Sequence, residues 1–275
     1  MSKFDKAVQI VHEALAQIQE SGKEIRVSKS SLAKLVQTKA ATENAIAAEA
    51  PGADIKANIP LPASGGVTNK AERMEELRAR ALVCEKCTHL VKSRTQVVFG
   101  VGNIDAELMF VGEAPGADED LQGEPFVGKA GHLLTKIIET MGFSRDTVYI
   151  GNVLKCRPDM PPGEPGNRKP RPDEMATCLP YLIEQIEIIR PRVMVALGAT
   201  AMQGLIDATA PMNQLRGRWH DFKGTPLMAT YHPAYLLRNQ SLSEKRKVWE
   251  DMLLVLEKLG RPISEKQRNY FLSRG

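Results

Sequence analysis

The chain is short of everything that would send it into or across a membrane. No apolar run approaches the roughly 18 residues needed to span a bilayer, so no transmembrane helix is expected. The opening stretch, MSKFDKAVQIVHEALAQIQESGKE, carries charge throughout and lacks the apolar centre of a secretory signal. The expected location is therefore the cytoplasm. Cysteine is scarce, with four in 275 residues. In a reducing compartment these are not expected to pair as disulfides. The P-loop order G-x-x-x-x-G-K-[ST] is missing, as is G-x-G-x-x-G. No cluster of His and Asp marks a hydrolytic metal site, and no internal repeat is found. These absences argue against a phosphate-binding, metal-assisted hydrolase.

What is present is enough for a substantial core: 43% of the residues are hydrophobic. The formal net charge of +4 fits a polyanionic partner without requiring one. Phe4, Val8, Val11, Leu15 and Ile18 recur at helical spacing, predicting a short amphipathic helix. From about 38 to 70 the chain is rich in Ala, Gly and Pro and reads as a flexible linker. Residues 1–70 are thus expected to be an appendage, a place for a repair-protein partner or a solubility tail. A catalytic domain is expected over 71–262, followed by a tail over 263–275.

Within that domain short apolar runs alternate with helical stretches. ELMFVGE (107–113), VYIGNVL (148–154), RVMVALG (192–198) and PLMATYH (226–232) read as buried strands. The stretches 131–142, 173–190, 199–207 and 243–260 read as helices. This alternation predicts an α/β fold: three layers, α/β/α, around a central, mostly parallel four-stranded sheet. Ligands of such sheets sit beyond the carboxyl ends of the strands, and each strand here ends in residues fit for chemistry.

Cys84 and Cys87 form a C-x-x-C pair, followed far later by Cys156 and Cys178. Thiolates suit zinc and iron–sulfur clusters alike. The 21 residues between the last two cysteines, unlike the tight pairs of a zinc ribbon, favour a cluster. They form a stretch rich in Pro, Lys and Arg that is able to face phosphates or solvent. The segment GEAPGADEDLQGEPFVGKAG (112–131) leaves a strand and enters a helix, as an anion-cradling loop does. His232, in TYHPAYLLRN, stands at a strand end before Pro233. Asn152 ends another strand, and its amide offers a donor and an acceptor in one plane, matching one edge of a nucleobase.

Taken in order, GEAPGADEDLQGEPFVGKAG, YIGNVLKCRP, RPRVMVALGATA, LRGRW and TYHPAYLLRN, with the four cysteines, resemble the type-4 uracil-DNA glycosylases over about residues 80–260. The resemblance implies a 4Fe-4S cluster held by Cys84, Cys87, Cys156 and Cys178, with a structural role. It implies a uracil flipped out of single- or double-stranded DNA into a pocket. There Phe126 stacks on the base, an interaction worth roughly 1–3 kcal/mol. Asn152 reads N3–H and O4, and His232 donates to O2. Gly112, Ala114 and Glu113 line the pocket, and Glu119 helps to exclude the thymine methyl. Ala114 stands where some superfamily members place an Asp that positions the water, so the leaving-group interactions carry most of the catalysis. Leu236 or Leu237 is expected to fill the vacated stack, and Arg238 to meet a phosphate. By the same resemblance the protein is expected to be a monomer. A DNA-binding module without catalysis and a glycosylase of wider base range are the competing readings.

Overall fold

The structure is a computed structural model that describes residues 69–161, 164 and 166–272. The amphipathic helix and linker expected over 1–70 lie outside the described residues, apart from 69 and 70. The elements in chain order are α1 (Lys70–Leu82), α2 (Thr88–Ser93), β1 (Val101–Gly102), β2 (Leu108–Gly112), α3 (Ala117–Gln122), α4 (Lys129–Thr140), β3 (Tyr149–Asn152) and α5 (Pro172–Ile189). There follow β4 (Val193–Leu197), α6 (Ala199–Ile206), α7 (Met212–Leu215), β5 (Trp219–Phe222), β6 (Thr225–Thr230), α8 (Pro233–Arg238), α9 (Leu242–Leu259) and α10 (Glu265–Arg268).

One sheet runs through the centre in the order β1-β3-β2-β4-β6-β5. The four strands expected from the apolar runs form its parallel middle, with Gly112 beside Asn152 and Leu197 beside Thr230. The sheet is nevertheless six-stranded, not four-stranded. Both extra strands are short, antiparallel and at the edges. β1 has only two residues, and β5 mixes Trp219 and Phe222 with exposed Asp221, so neither shows the buried-run pattern of the middle.

The fully buried runs of β2 and β4 are apolar because both faces of the sheet are covered. Side chains alternate between the faces. Met109, Val111, Met194, Ala196, Leu227 and Ala229 pack with Leu182 and Ile186 of α5 and Met202 of α6. Leu108, Phe110, Val193, Val195 and Met228 pack with Leu134 and Ile138 of α4 and with Met252, Val255 and Leu256 of α9. This is the three-layer α/β/α arrangement, and each buried Val, Leu, Ile, Phe or Met side chain in it contributes about 1.5–3 kcal/mol. The long helices are well punctuated. Ser241 caps α9 by accepting from the Glu244 N–H, and Gly260 ends it at φ 70°.

Residues 263–272 lie against α4 and α9. Trp249 Nε1 donates to the carbonyl of Gln267 (2.6 Å), Gln267 Nε2 donates to that of Thr140 (2.8 Å), and Tyr270 meets Trp249 edge-on at 5.5 Å.

Candidate active site and thiol cluster

Because the middle strands are parallel, Gly112, Asn152, Gly198 and the His232 turn all emerge at one end of the sheet. Asn152 is 2% exposed, and its Oδ1 is buried with no hydrogen-bond partner among the described residues. Buried polar atoms are rarely left so. Gly112 makes room for it. A Cβ at position 112 would lie 2.4 Å from Asn152 Oδ1 and 2.5 Å from Phe126 Cζ. The amide and the aromatic ring therefore converge over a bare backbone.

Phe126 is held in a conformation that bulky residues seldom adopt, at φ 56°. Arg145 holds it by donating to the carbonyls of Phe126 (3.1 Å) and Pro125 (2.8 Å). Gly131 permits the close passage of that turn, since a Cβ there would meet the Phe126 carbonyl oxygen at 1.9 Å. The Glu119 carboxylate accepts from the N–H groups of Gly116, Val127 and Gly128 at 2.9–3.0 Å. Its oxygens thus organise the loop on both sides of Phe126.

His232 lies 5.5 Å from Phe126, ring centre to ring centre. It caps α8: Nδ1 accepts from the Ala234 N–H at 3.1 Å. That leaves the proton of the neutral ring on Nε2. Burial, aided by the nearby Arg238 cation and opposed by Glu119, pushes the imidazole down to about 4. At neutral pH His232 is an uncharged donor. Behind it, Thr230 donates to Asp251 (2.7 Å), which also takes Arg216 of the LRGRW stretch at 2.6 and 3.1 Å.

Glu113 and Ala114 follow Gly112 and are half-buried, and the Glu113 carbonyl accepts from the Leu154 N–H. The two leucines expected to wedge DNA part company. Leu236 is 5% exposed and faces inward, whereas Leu237 is 39% exposed beside an exposed Arg238.

The cysteines come from four separate places: beyond the end of α1, the N-cap of α2, beyond the end of β3, and inside α5. None of the four is paired in a disulfide. Arg94 Nη1 approaches Cys156 Sγ at 3.0 Å, and the Lys155 N–H donates to Cys178 Sγ at 3.2 Å. Burial pushes the Cys178 thiol up to about 12, and Cys87 and Cys156 also rise through burial. The neighbouring sulfurs push in the same direction, while Arg94 beside Cys156 and Lys155 beside Cys178 pull back. A single zinc needs its sulfurs about 4 Å apart. Among the described residues only His89, Asp159 and Glu174 bring three such ligand atoms within 4.8 Å of one another.

That trio was not expected from the sequence, and it is not a cation site either. Arg168 and Arg171 both donate to Glu174, and Arg168 also reaches Asp159. Burial raises Glu174, but Arg168, the Arg171 N–H and His89 overcome it and hold the carboxyl at about 2. Arg168 of the insert is therefore committed to this cluster, whereas Arg171 and Lys169 stay exposed to solvent. Arg145, Lys155 and Glu174 had no sequence signal beyond their presence beside recognised motifs.

An α/β/α sheet end carrying an aromatic ring, an unmatched amide and a neutral imidazole defines a base-binding class of protein. Residues 99–253 match the family model described as the Uracil DNA glycosylase superfamily, and the chain belongs to that superfamily. Three curated relatives refine the place within it. The chain is similar to the type-4 uracil-DNA glycosylase of Thermotoga maritima, with 46% identity covering 66% of this chain and 93% of the relative. The type-4 enzyme of Archaeoglobus fulgidus is 44% identical over 63% of this chain and 88% of its own. That of Sulfurisphaera tokodaii is 39% identical over 73% and 91%.

Proposed function

We propose that the chain is a uracil-DNA glycosylase: it hydrolyses the N-glycosidic bond of a flipped-out deoxyuridine in DNA, the first step of base-excision repair. The observation that carries this reading is the unpartnered Oδ1 of Asn152 beneath Phe126. Uracil supplies the missing donor, its N3–H, while its O4 accepts from the Asn152 amide. Cytosine presents a lone pair at N3 and an amino group at position 4, so both contacts are mismatched. A mismatched buried polar pair costs about 1–3 kcal/mol or more.

As the C1′–N1 bond breaks, its electron pair goes to the base and the sugar becomes oxocarbenium-like. Negative charge grows on uracil O2, where the His232 Nε2–H donates. A neutral donor gains strength as that charge develops, so it favours the transition state over the bound substrate. Water adds to C1′, and the proton it gives up passes through solvent to the departing uracil anion. With Ala114 beside it, Glu113 is the carboxylate at this end of the sheet assigned to the water side of the sugar. Glu119 has its carboxylate committed to the loop, and it excludes the thymine methyl by fixing that loop. Leu237 and Arg238, exposed on α8, are assigned to the DNA.

Cys84, Cys87, Cys156 and Cys178 would hold a 4Fe-4S cluster. Four cysteines brought in from separate segments, two of them already receiving N–H donors, fit a multi-iron thiolate ligand set. When bound, the cluster supplies cross-linking of chain segments rather than reaction chemistry. None of the described helices is long and apolar enough to cross a membrane, in keeping with a cytoplasmic enzyme. The protein is proposed to act as a monomer, with residues 1–70 left for a repair partner.

The test is cleavage of labelled oligonucleotides carrying one uracil, thymine or hypoxanthine, followed by alkali. Breaks at uracil support the proposal. No breaks from folded, brown protein would point to a DNA-binding module, and breaks at hypoxanthine to a broader pocket.

A further inference from the structure

Lys155 is 1% exposed, between α5 and the end of β3. Its ammonium donates to the carbonyl of Asn152 at 3.0 Å and to Gln185 Oε1 at 2.5 Å. Gln185, itself fully buried, donates onward to the carbonyl of Phe99 (3.0 Å) and to the Tyr149 hydroxyl (2.9 Å). The ammonium lies 6.0 Å from the centre of the Phe99 ring. Among the described residues no carboxylate pairs with it. Burying a cation without a counter-charge is costly, so its hydrogen bonds to Asn152 and Gln185 are what hold it there.

The main chain of the same residue is tied at both ends. Its N–H donates to Cys178 Sγ, and its carbonyl accepts from the Val98 N–H at 2.8 Å. The side chain then turns back onto residue 152. That residue is the last of β3, where the strand ladder gives out. The peptide after Asn152 is held on one side by the Val153 N–H, which donates to the Gly112 carbonyl at 3.0 Å. Lys155 holds the other side. Together they fix the peptide plane and so the direction in which the Asn152 side chain leaves the backbone.

The geometry points to Lys155 as the positioning residue for Asn152: its ammonium pins the peptide that aims Oδ1 at the base, and its main chain passes that constraint to the thiol cluster through Cys178. This rests on Asn152 reading uracil as proposed above. Lys155 touches no substrate. It lets a fixed polar network, rather than a loop, set the angle of the reading group.

The experiment compares the full chain with Lys155→Met, which keeps the length and removes the donors. Leu256→Ala, in the opposite layer of the core, serves as a destabilised control. Three quantities are read: kcat and KM on a uracil oligonucleotide, the inhibition constant of free uracil, and the affinity for abasic-site DNA. Visible absorption shows whether the metal centre is retained. For Lys155→Met, kcat is expected to fall about ten-fold, and free uracil to inhibit about ten-fold more weakly. KM for DNA and abasic-site affinity should stay as in the wild type, with the visible spectrum kept. An unchanged uracil inhibition constant, or a loss matched by Leu256→Ala at equal melting temperature, overturns the inference. If Lys155→Met does not fold, Gln185→Leu replaces it, since it removes the acceptor that holds Lys155. A weaker uracil inhibition constant is again expected, and its absence again overturns the inference. A wild type that neither cuts at uracil nor binds it would instead refute the activity on which the inference rests.

Discussion

His232 works at the residue scale as a donor with a fixed tautomer. Because Nδ1 is taken by the Ala234 N–H, the outward nitrogen carries the proton without help from pH. His232→Ala is expected to lower single-turnover uracil excision by about 10²–10³-fold, the usual cost of one such donor. The wild-type pH–rate profile should show no break near the ordinary histidine value, because this ring stays neutral down to about 4. Stability carries the opposite signature. The unfolded chain takes up the proton near 6.5 but the folded chain only near 4, so this group's contribution is complete above 6.5 and is lost as pH falls towards 4. Comparing melting temperatures of wild type and His232→Gln across that window checks the sign. Gly112 makes a second residue-scale point. Gly112→Ala places a methyl 2.4–2.5 Å from both Asn152 Oδ1 and Phe126 Cζ. It should cost about 1–3 kcal/mol of stability by overpacking. It should also weaken inhibition by free uracil more than it weakens binding to abasic DNA.

The loop from Gly112 to Gly131 shows how one element sets another's shape. Its three N–H groups converge on Glu119, and its aromatic turn hangs from Arg145. Glu119→Ala is expected to destabilise the fold by on the order of 3 kcal/mol, since it frees several charge-assisted hydrogen bonds at once. Glu119→Gln, which keeps one oxygen acceptor, should lose less; denaturant unfolding of the two variants distinguishes them. This loop also marks how far the sequence could be read. The four middle strands and the long helices announce themselves because Leu108–Gly112 or Val193–Leu197 are apolar throughout and their neighbours recur at helical spacing. β1 and β5 do not, because two residues at a sheet edge carry no pattern. Gly112, Phe126, Asn152 and His232 stood out as motif residues, and the structure brings them together. Arg145, Lys155 and Gln185 act through backbone carbonyls and side chains that, apart from Asn152 three residues before Lys155, lie 19 to 86 residues away, a relation no local pattern records. Leu236 and Leu237 look alike in the sequence, and only the rotation of α8 tells which one meets solvent.

For the whole molecule, a cluster held by the four cysteines as proposed would tie the region after α1 to the segment beyond the strand that ends in Asn152 and to a helix of the core. Cys156→Ala is expected to lose both visible colour and several degrees of melting temperature, because the metal's binding energy is folding energy. Iron analysis and thermal unfolding of the same preparation test both at once. Colour lost without loss of stability would mean that the cluster does not brace the fold. The borders of the sheet bear on a different matter. One is two residues long, and the other is a four-residue strand carrying exposed Asp221. Neither leaves a long row of open N–H and C=O groups for a second chain to extend. Edge-to-edge extension of the described sheet from one copy to another is disfavoured at both borders.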